Sequence, residues 1–293
     1  MRNILHILLV VFLACSGCTD LRLSETRSSL VLEGWIEDGK FPVVLLSTSV
    51  PVSTDSQNLE SLQDHIVRWG KVTISDGEKE VILTGGPDSR FIPPYSYTTT
   101  RIRGQAGKTY TVKAEYDGHV ITSSTVIPDR KELEYIRGEE VMPGKYRIVA
   151  GLKDDPSRKD YYKFFVRRVG KDSTYMSSFL GLVNDEVLGD GVSEIAVYNG
   201  MSVRENELNQ YFEADDIVDV RLSTLDEASW KYWSDFEDIF SLSRNPFFPV
   251  TSRIRSNVTG GLGYWSGYGA RYYKVSIPDS LAVEHAGMEA SLR

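Results

Sequence analysis

Between Ser29 and Ile127 the chain alternates short runs rich in Val, Ile, Leu, Thr and aromatic residues with breaks rich in Gly and Asp. Seven such runs predict strands, at 29–37, 41–50, 68–76, 80–84, 95–102, 109–116 and 119–127, because β-branched and aromatic side chains fit a pleated, half-buried surface. Period two is clearest in Thr109–Ala114, where Tyr110, Val112 and Ala114 face one way and Thr111 and Lys113 the other. Tyr116-Asp117-Gly118-His119 predicts a two-residue hairpin turn. Short strands at this spacing predict an immunoglobulin- or transthyretin-like β-sandwich module over 29–128. No Cys…Trp…Cys framework accompanies it, which excludes the disulfide-bonded immunoglobulin type.

Pro128 closes that module, and the polar stretch 129–145, with Gly138 and Pro143-Gly144, predicts a linker. Further β-like runs follow at 146–152, 161–169, 175–183, 194–198 and 217–223. Thr224 and Glu227 have the spacing of a capping box. From Leu225 the apolar residues Ala228, Trp230, Trp233, Phe236, Ile239 and Phe240 recur at three- to four-residue steps, predicting a helix over about 225–242 that lies across the second sheet. The fold class expected is therefore mostly β, the sandwich module being joined to a second β-rich module (146–278) that carries one amphipathic helix, with a tail at 279–293. Near the end, Gly260, Gly261, Gly263, Gly267 and Gly269 alternate with Tyr264, Trp265, Tyr268, Tyr272 and Tyr273. This segment predicts a glycine-bent hairpin or, more pointedly, an aromatic patch for a ligand or partner made of Tyr264, Trp265, Tyr268 and Tyr272.

The first residues follow a different pattern. Arg2 precedes a run of eleven residues, Ile4 to Ala14, that is apolar except for His6. A bilayer span needs about 20 residues, so residues 1–17 predict a signal peptide rather than a transmembrane helix. It ends in Leu13-Ala14-Cys15-Ser16-Gly17-Cys18, similar to a bacterial lipobox, with cleavage ahead of a cysteine that then carries acyl chains. Ser16 and Gly17 are small and favour Cys18 as the lipidated residue; Cys15, with bulky Leu13 upstream, is the second choice. Residues 18–28 then form a tether. Cysteine occurs nowhere else, so a mature chain beginning at Cys18 has no disulfide and no thiol nucleophile. Several acyl chains hold a protein on a membrane durably, which makes the membrane the first expected partner.

Charge removes one class of function. The net charge is −8, and loss of Arg2 with the signal makes it 32 − 41 = −9. Nucleic-acid binding requires a basic footprint, so that partner is excluded. Gly261-Leu-Gly263-Tyr-Trp-Ser-Gly267 departs from the dinucleotide fingerprint in spacing and context. The acids at 154–160 and 215–219 do not match an EF-hand loop. His65, His119 and His285 lack ligand partners at metal-site spacing, and no G-x-S-x-G elbow occurs. No catalytic residue, metal or cofactor is expected, and an enzyme finds no support.

Several stretches together resemble a known family: the lipobox, LVLEGWIEDGKFPVVLLSTSVP, GKVTISDG, GKTYTVKAEYDG, LKDDPSRKDYYKFFV and NPFFPVTSRIRSNVTGGLGYWSGYG. They are similar to the Bacteroidota lipoproteins of the domain-of-unknown-function 4249 family, from the lipobox to about Tyr268. The resemblance implies an outer-membrane lipoprotein, on the periplasmic or surface-exposed face, that accompanies a TonB-dependent receptor. It supplies no catalytic residues. The expected function is a lipid-anchored envelope binding protein, accessory to such a receptor in nutrient capture. The alternatives are a structural or adhesive envelope lipoprotein without a small-molecule ligand and, in third place, a hydrolase.

Overall fold

The computed structural model describes residues 28–49, 61–92, 94–189, 191–201, 209–243, 254–277 and 283–284. Cys15 and Cys18 lie outside them. The first module contributes β1 (Leu30–Glu37), β2 (Val43–Thr48), β3 (Lys71–Ser75), β4 (Glu80–Ile82), β5 (Thr84–Pro87), β6 (Tyr95–Thr98), β7 (Thr109–Tyr116) and β8 (His119–Val126). The second contributes β9 (Tyr135–Met142), β10 (Lys145–Lys153), β11 (Tyr161–Arg168), β12 (Met176–Asn184), β13 (Val192–Val197), β14 (Phe212–Glu213), β15 (Ile217–Leu225), α1 (Glu227–Ser243), β16 (Leu262–Ser276) and β17 (Val283–Glu284). The protein is mostly β, with sandwich-like packing and one α-helix among the described residues. Asp117 and Gly118 both have positive φ, 48° and 75°, as a type I′ hairpin turn between β7 and β8 requires.

One large sheet runs through the whole molecule in the order β12-β11-β15-β16-β1-β2-β6-β5, with β17 added to β16. Two smaller sheets, β4-β3-β7-β8 and β13-β10-β14 with β9, cover the same face of it at opposite ends. Each end is a sandwich with its own core. Leu32, Ile36 and Leu46 meet Val72, Ile74 and Val112 in the first. Phe164, Val220 and Val275 meet Ile148, Leu152 and Phe212 in the second.

The strand that joins the two ends is β16. Its first seven residues pair in parallel with β1, Val31 with Leu262 through Glu37 with Tyr268. Its last eight pair antiparallel with β15, Thr224 with Gly269 through Ile217 with Ser276. The glycine-bent hairpin expected here is instead a single 15-residue strand. Its period is two. Even positions carry Tyr264, Tyr268 and Tyr272 toward the helix, whereas odd positions carry Trp265 and Tyr273 into the sandwich cores. The odd glycines admit other backbone at van der Waals range. A Cβ on Gly267 would lie 2.4 Å from the Val126 carbonyl oxygen, where the chain leaving β8 crosses the sheet, and Gly263 has φ +110° against the Leu32 backbone.

Two further expectations change. The stretch 129–145 is not only a linker, because β9 occupies 135–142 and pairs with β10. The capping box is replaced by Asp226, whose Oδ1 accepts the Ser229 amide at 2.8 Å and whose Oδ2 accepts the Thr125 hydroxyl at 2.7 Å. Thr224 cannot cap because β15 carries it inward, where its hydroxyl is buried.

Candidate binding surface

The face of the large sheet opposite the sandwiches is aromatic and ionic. Helix α1 covers part of it. Trp230 stacks on Tyr161 with ring centres 4.9 Å apart, Tyr232 lies 4.1 Å from Tyr264, and Trp233 meets Phe165 edge-on at 5.3 Å. Glu237 reaches down to the Lys163 ammonium, which is fully buried; burial lowers the Lys163 pKa and the glutamate opposes that shift. The Trp233 indole donates to Tyr268 at 3.3 Å.

Beyond the helix the same face carries a compact charge network. Glu37 ends β1, Arg221 stands on β15, and the two sit on opposite edges of β16. Their side chains meet across it, Arg221 Nη1 donating to Glu37 Oε1 at 2.5 Å. The guanidinium lies 3.9 Å from the Phe165 ring centre, 5.2 Å from Tyr268 and 5.4 Å from Tyr175. Tyr272 donates to the second carboxylate oxygen of Glu37. Lys40, on the turn after β1, reaches that oxygen at 3.1 Å and lies 3.7 Å from the Tyr272 ring centre. Burial raises the Glu37 pKa, but Arg221 and Lys40 together pull it below the usual glutamate value. Burial pushes the phenols of Tyr175 and Tyr268 up to about 12. Arg221 Nε is buried with no partner among the described residues.

Around the buried Arg221–Glu37 pair, acids lie inward and the remaining cations outward. Lys40 covers Glu37, Arg130 covers Asp38 at 2.6 Å, and Arg167 and Lys274 cover Asp219 at 2.5 and 3.6 Å. The four cationic side chains are 35 to 47% exposed, the three acids 5 to 19%. Solvent therefore meets ammonium, guanidinium and phenol groups, in a chain whose overall charge is negative. Such a surface can take an acidic group by charge-assisted hydrogen bonds and hold a flat one against Tyr175 or Tyr272.

The aromatic residues singled out from sequence do not form an exposed patch. Trp265 is 0% exposed, Tyr268 1% and Tyr264 4%. Trp265 fills the first sandwich, its indole donating to the Tyr110 carbonyl at 2.9 Å, and Tyr264 donates to Glu33 at 3.2 Å beneath the helix. They are inside because a strand buried on both faces buries both of its alternating sets. Tyr272 alone reaches the margin, in the network with Glu37 and Lys40. The network partners were missed, although β15 carried a signal. Val218, Val220 and Leu222 alternate with Asp219, Arg221 and Ser223, yet all six are buried. A polar stripe normally marks solvent; here it marks an ionic interior.

The acidic runs are engaged elsewhere. Asp155 accepts the amide and hydroxyl of Ser157, Asp160 pairs with Arg158 at 2.9 Å, and Asp216 with Lys171 at 2.7 Å. His65 Nδ1 lies 2.9 Å from the Thr48 hydroxyl. Among the described residues no group of three or more His, Cys, Asp or Glu is placed to hold a metal ion. An open cleft of 510 Å³ between the 154–159 loop and residues 185–189 is lined by Arg158, Lys159, Asp185 and Glu186, and Lys159 is already paired with Glu186 at 2.8 Å.

The class these features define is a mostly β protein in which one through-running sheet is shared by two sandwiches and backed by a single helix. Residues 19–273 match the family described as a domain of unknown function, DUF4249, and the chain belongs to that family. No curated protein matches it.

Proposed function

We propose that the protein is a lipid-anchored cell-envelope binding protein, accessory to a TonB-dependent outer-membrane receptor in nutrient capture. The observation that carries this reading is the lipobox-like Leu13-Ala14-Cys15-Ser16-Gly17-Cys18, standing directly ahead of a family domain that opens at residue 19. On this reading Cys18 is the attachment point and the folded domain its cargo. Among the described residues no helix is long and apolar enough to cross a membrane. The surface assigned to binding is the cationic and aromatic margin formed by Lys40, Arg167, Tyr175 and Tyr272.

Metabolic labelling with a palmitate analogue tests the anchor. Labelled, membrane-bound wild type and an unlabelled Cys18→Ser variant are expected; full labelling of Cys18→Ser moves the site to Cys15. Affinity purification from the native envelope tests the partner. Recovery of a TonB-dependent receptor, reduced by Lys40→Glu with Arg167→Glu, is expected. The second reading, a structural or adhesive envelope lipoprotein, draws support from the 510 Å³ cleft, whose cations are already paired, Arg158 with Asp160 and Lys159 with Glu186. Recovery of surface polymer and no receptor would favour it.

A further inference from the structure

Arg68-Trp69-Gly70-Lys71 leads into β3 and stands out from the rest of the surface. The Trp69 side chain is 90% exposed, whereas Trp265 and Trp233 are 0 and 7% exposed, and Trp35 and Trp230 are half-buried. Trp69 is held out by a fixed backbone. Val67 is buried, its amide donates to Leu46 O at 3.0 Å, and its carbonyl accepts the Tyr97 hydroxyl at 2.7 Å. The Arg68 carbonyl accepts the Tyr95 hydroxyl at 3.1 Å, and the Gly70 amide donates to Tyr97 at 3.0 Å. Two tyrosines thus brace the segment on either side of Trp69. Arg68 and Lys71 flank it, both exposed.

Its position relative to the chain's entry point matters. Val31 pairs with Ser47, and Ser47 bridges to Ile66. Two interstrand steps of about 4.8 Å and three residues at about 3.6 Å each place Trp69 within roughly 20 Å of Val31, the second residue of β1. Ten residues from Cys18 to Ser28 span at most about 35 Å. An indole combines a large apolar body with one N–H donor and settles at the membrane–water interface, where flanking Lys and Arg reach the headgroups.

We infer that Trp69, with Arg68 and Lys71, is an interfacial contact that seats the first sandwich on the leaflet holding the acylated Cys18. The contact would turn a one-point attachment into an oriented one. It rests on the anchor reading above.

The test uses the full lipidated protein reconstituted in phosphatidylethanolamine–phosphatidylglycerol vesicles, with and without brominated acyl chains. Flotation reports the anchor, and bromine quenching of tryptophan emission reports Trp69. Quenching of about one fifth of the emission is expected, the share of one tryptophan in five, and it should be absent from Trp69→Phe, which floats equally well. Equal quenching of both proteins, or floated wild type without quenching, overturns the inference. In the unquenched case, Trp69-dependent capture of an envelope protein would assign the side chain to a protein partner. Wild type that fails to float overturns the anchor reading itself and this inference with it.

Discussion

One face of the large sheet is held to its sandwich partners by aliphatic side chains such as Leu32, Ile36, Val220 and Val275, with Trp265 and Tyr273 among them. The opposite face is held by stacked rings and by two buried ion pairs, Lys163–Glu237 and Arg221–Glu37. Dispersion and apolar burial on the first face are local and graded, so a lost methyl group costs a little and a lost ring more. The ion pairs on the second are conditional. Each charge is tolerated in the interior because its partners are present, and removing Arg221 leaves a desolvated Glu37 with only Lys40 and Tyr272 to compensate it.

The largest expected effect is on the aliphatic side. Trp265→Ala empties the centre of the first core and breaks the indole bond to Tyr110. It should cost about 3–5 kcal/mol, read as the shift in a urea unfolding midpoint. Close behind stands Arg221→Met, at about 3–5 kcal/mol, because Glu37 stays buried. The double variant Arg221→Met, Glu37→Leu should recover most of that loss, since well-packed apolar replacements of a buried pair are close to neutral. If the double variant is as unstable as the single, the two faces do not differ in the way described. Asp226→Ala is smaller, about 1–2 kcal/mol, because it removes the cap of α1 and the acceptor of Thr125.

The finest test lies in two glutamates on one face of β1. Arg221 and Lys40 hold Glu37 below the usual glutamate value, outweighing burial. The stability it contributes is present above the unfolded value near 4.3 and is lost as pH falls through its folded value. Glu33 is raised by burial, which the hydrogen bond from Tyr264 opposes. Its contribution is present below the unfolded value and is lost as pH rises through the folded one. Glu37→Gln should therefore flatten the acid arm of a stability–pH profile, and Glu33→Gln the arm above it. Thermal unfolding from pH 3 to pH 8 separates them; profiles that change on the same arm would refute the opposite signs.

Most strands and the helix were legible because each carries its signal within a few residues. Tyr110, Val112 and Ala114 alternate with polar neighbours, and the Trp230–Trp233–Phe236 spacing marks the face of α1. The aromatic residues of β16 were not legible as core from their content alone, because aromatic side chains serve surface and interior alike. The alternation from Gly261 to Tyr273 was visible and meant one long strand with two buried faces. Glu37, Lys40 and Arg221 were not legible as a site, because 184 positions separate the partners of the central pair and neither carries a local mark of the other.

By itself the sequence determined the class of fold, the hairpin at Asp117-Gly118, the extent of α1 to within two residues and, through the resemblance it carries, the family. Those features depend on side-chain period, turn chemistry and composition, which act over neighbouring residues. Only the tertiary structure decided that β16 joins both sandwiches, pairing in parallel with β1 and antiparallel with β15, and that the polar stripe of β15 faces an ionic interior. Period two tells which side chains share a face. It cannot tell which strand lies alongside, because every strand offers the same backbone hydrogen bonds and the choice is made by packing across the whole sheet.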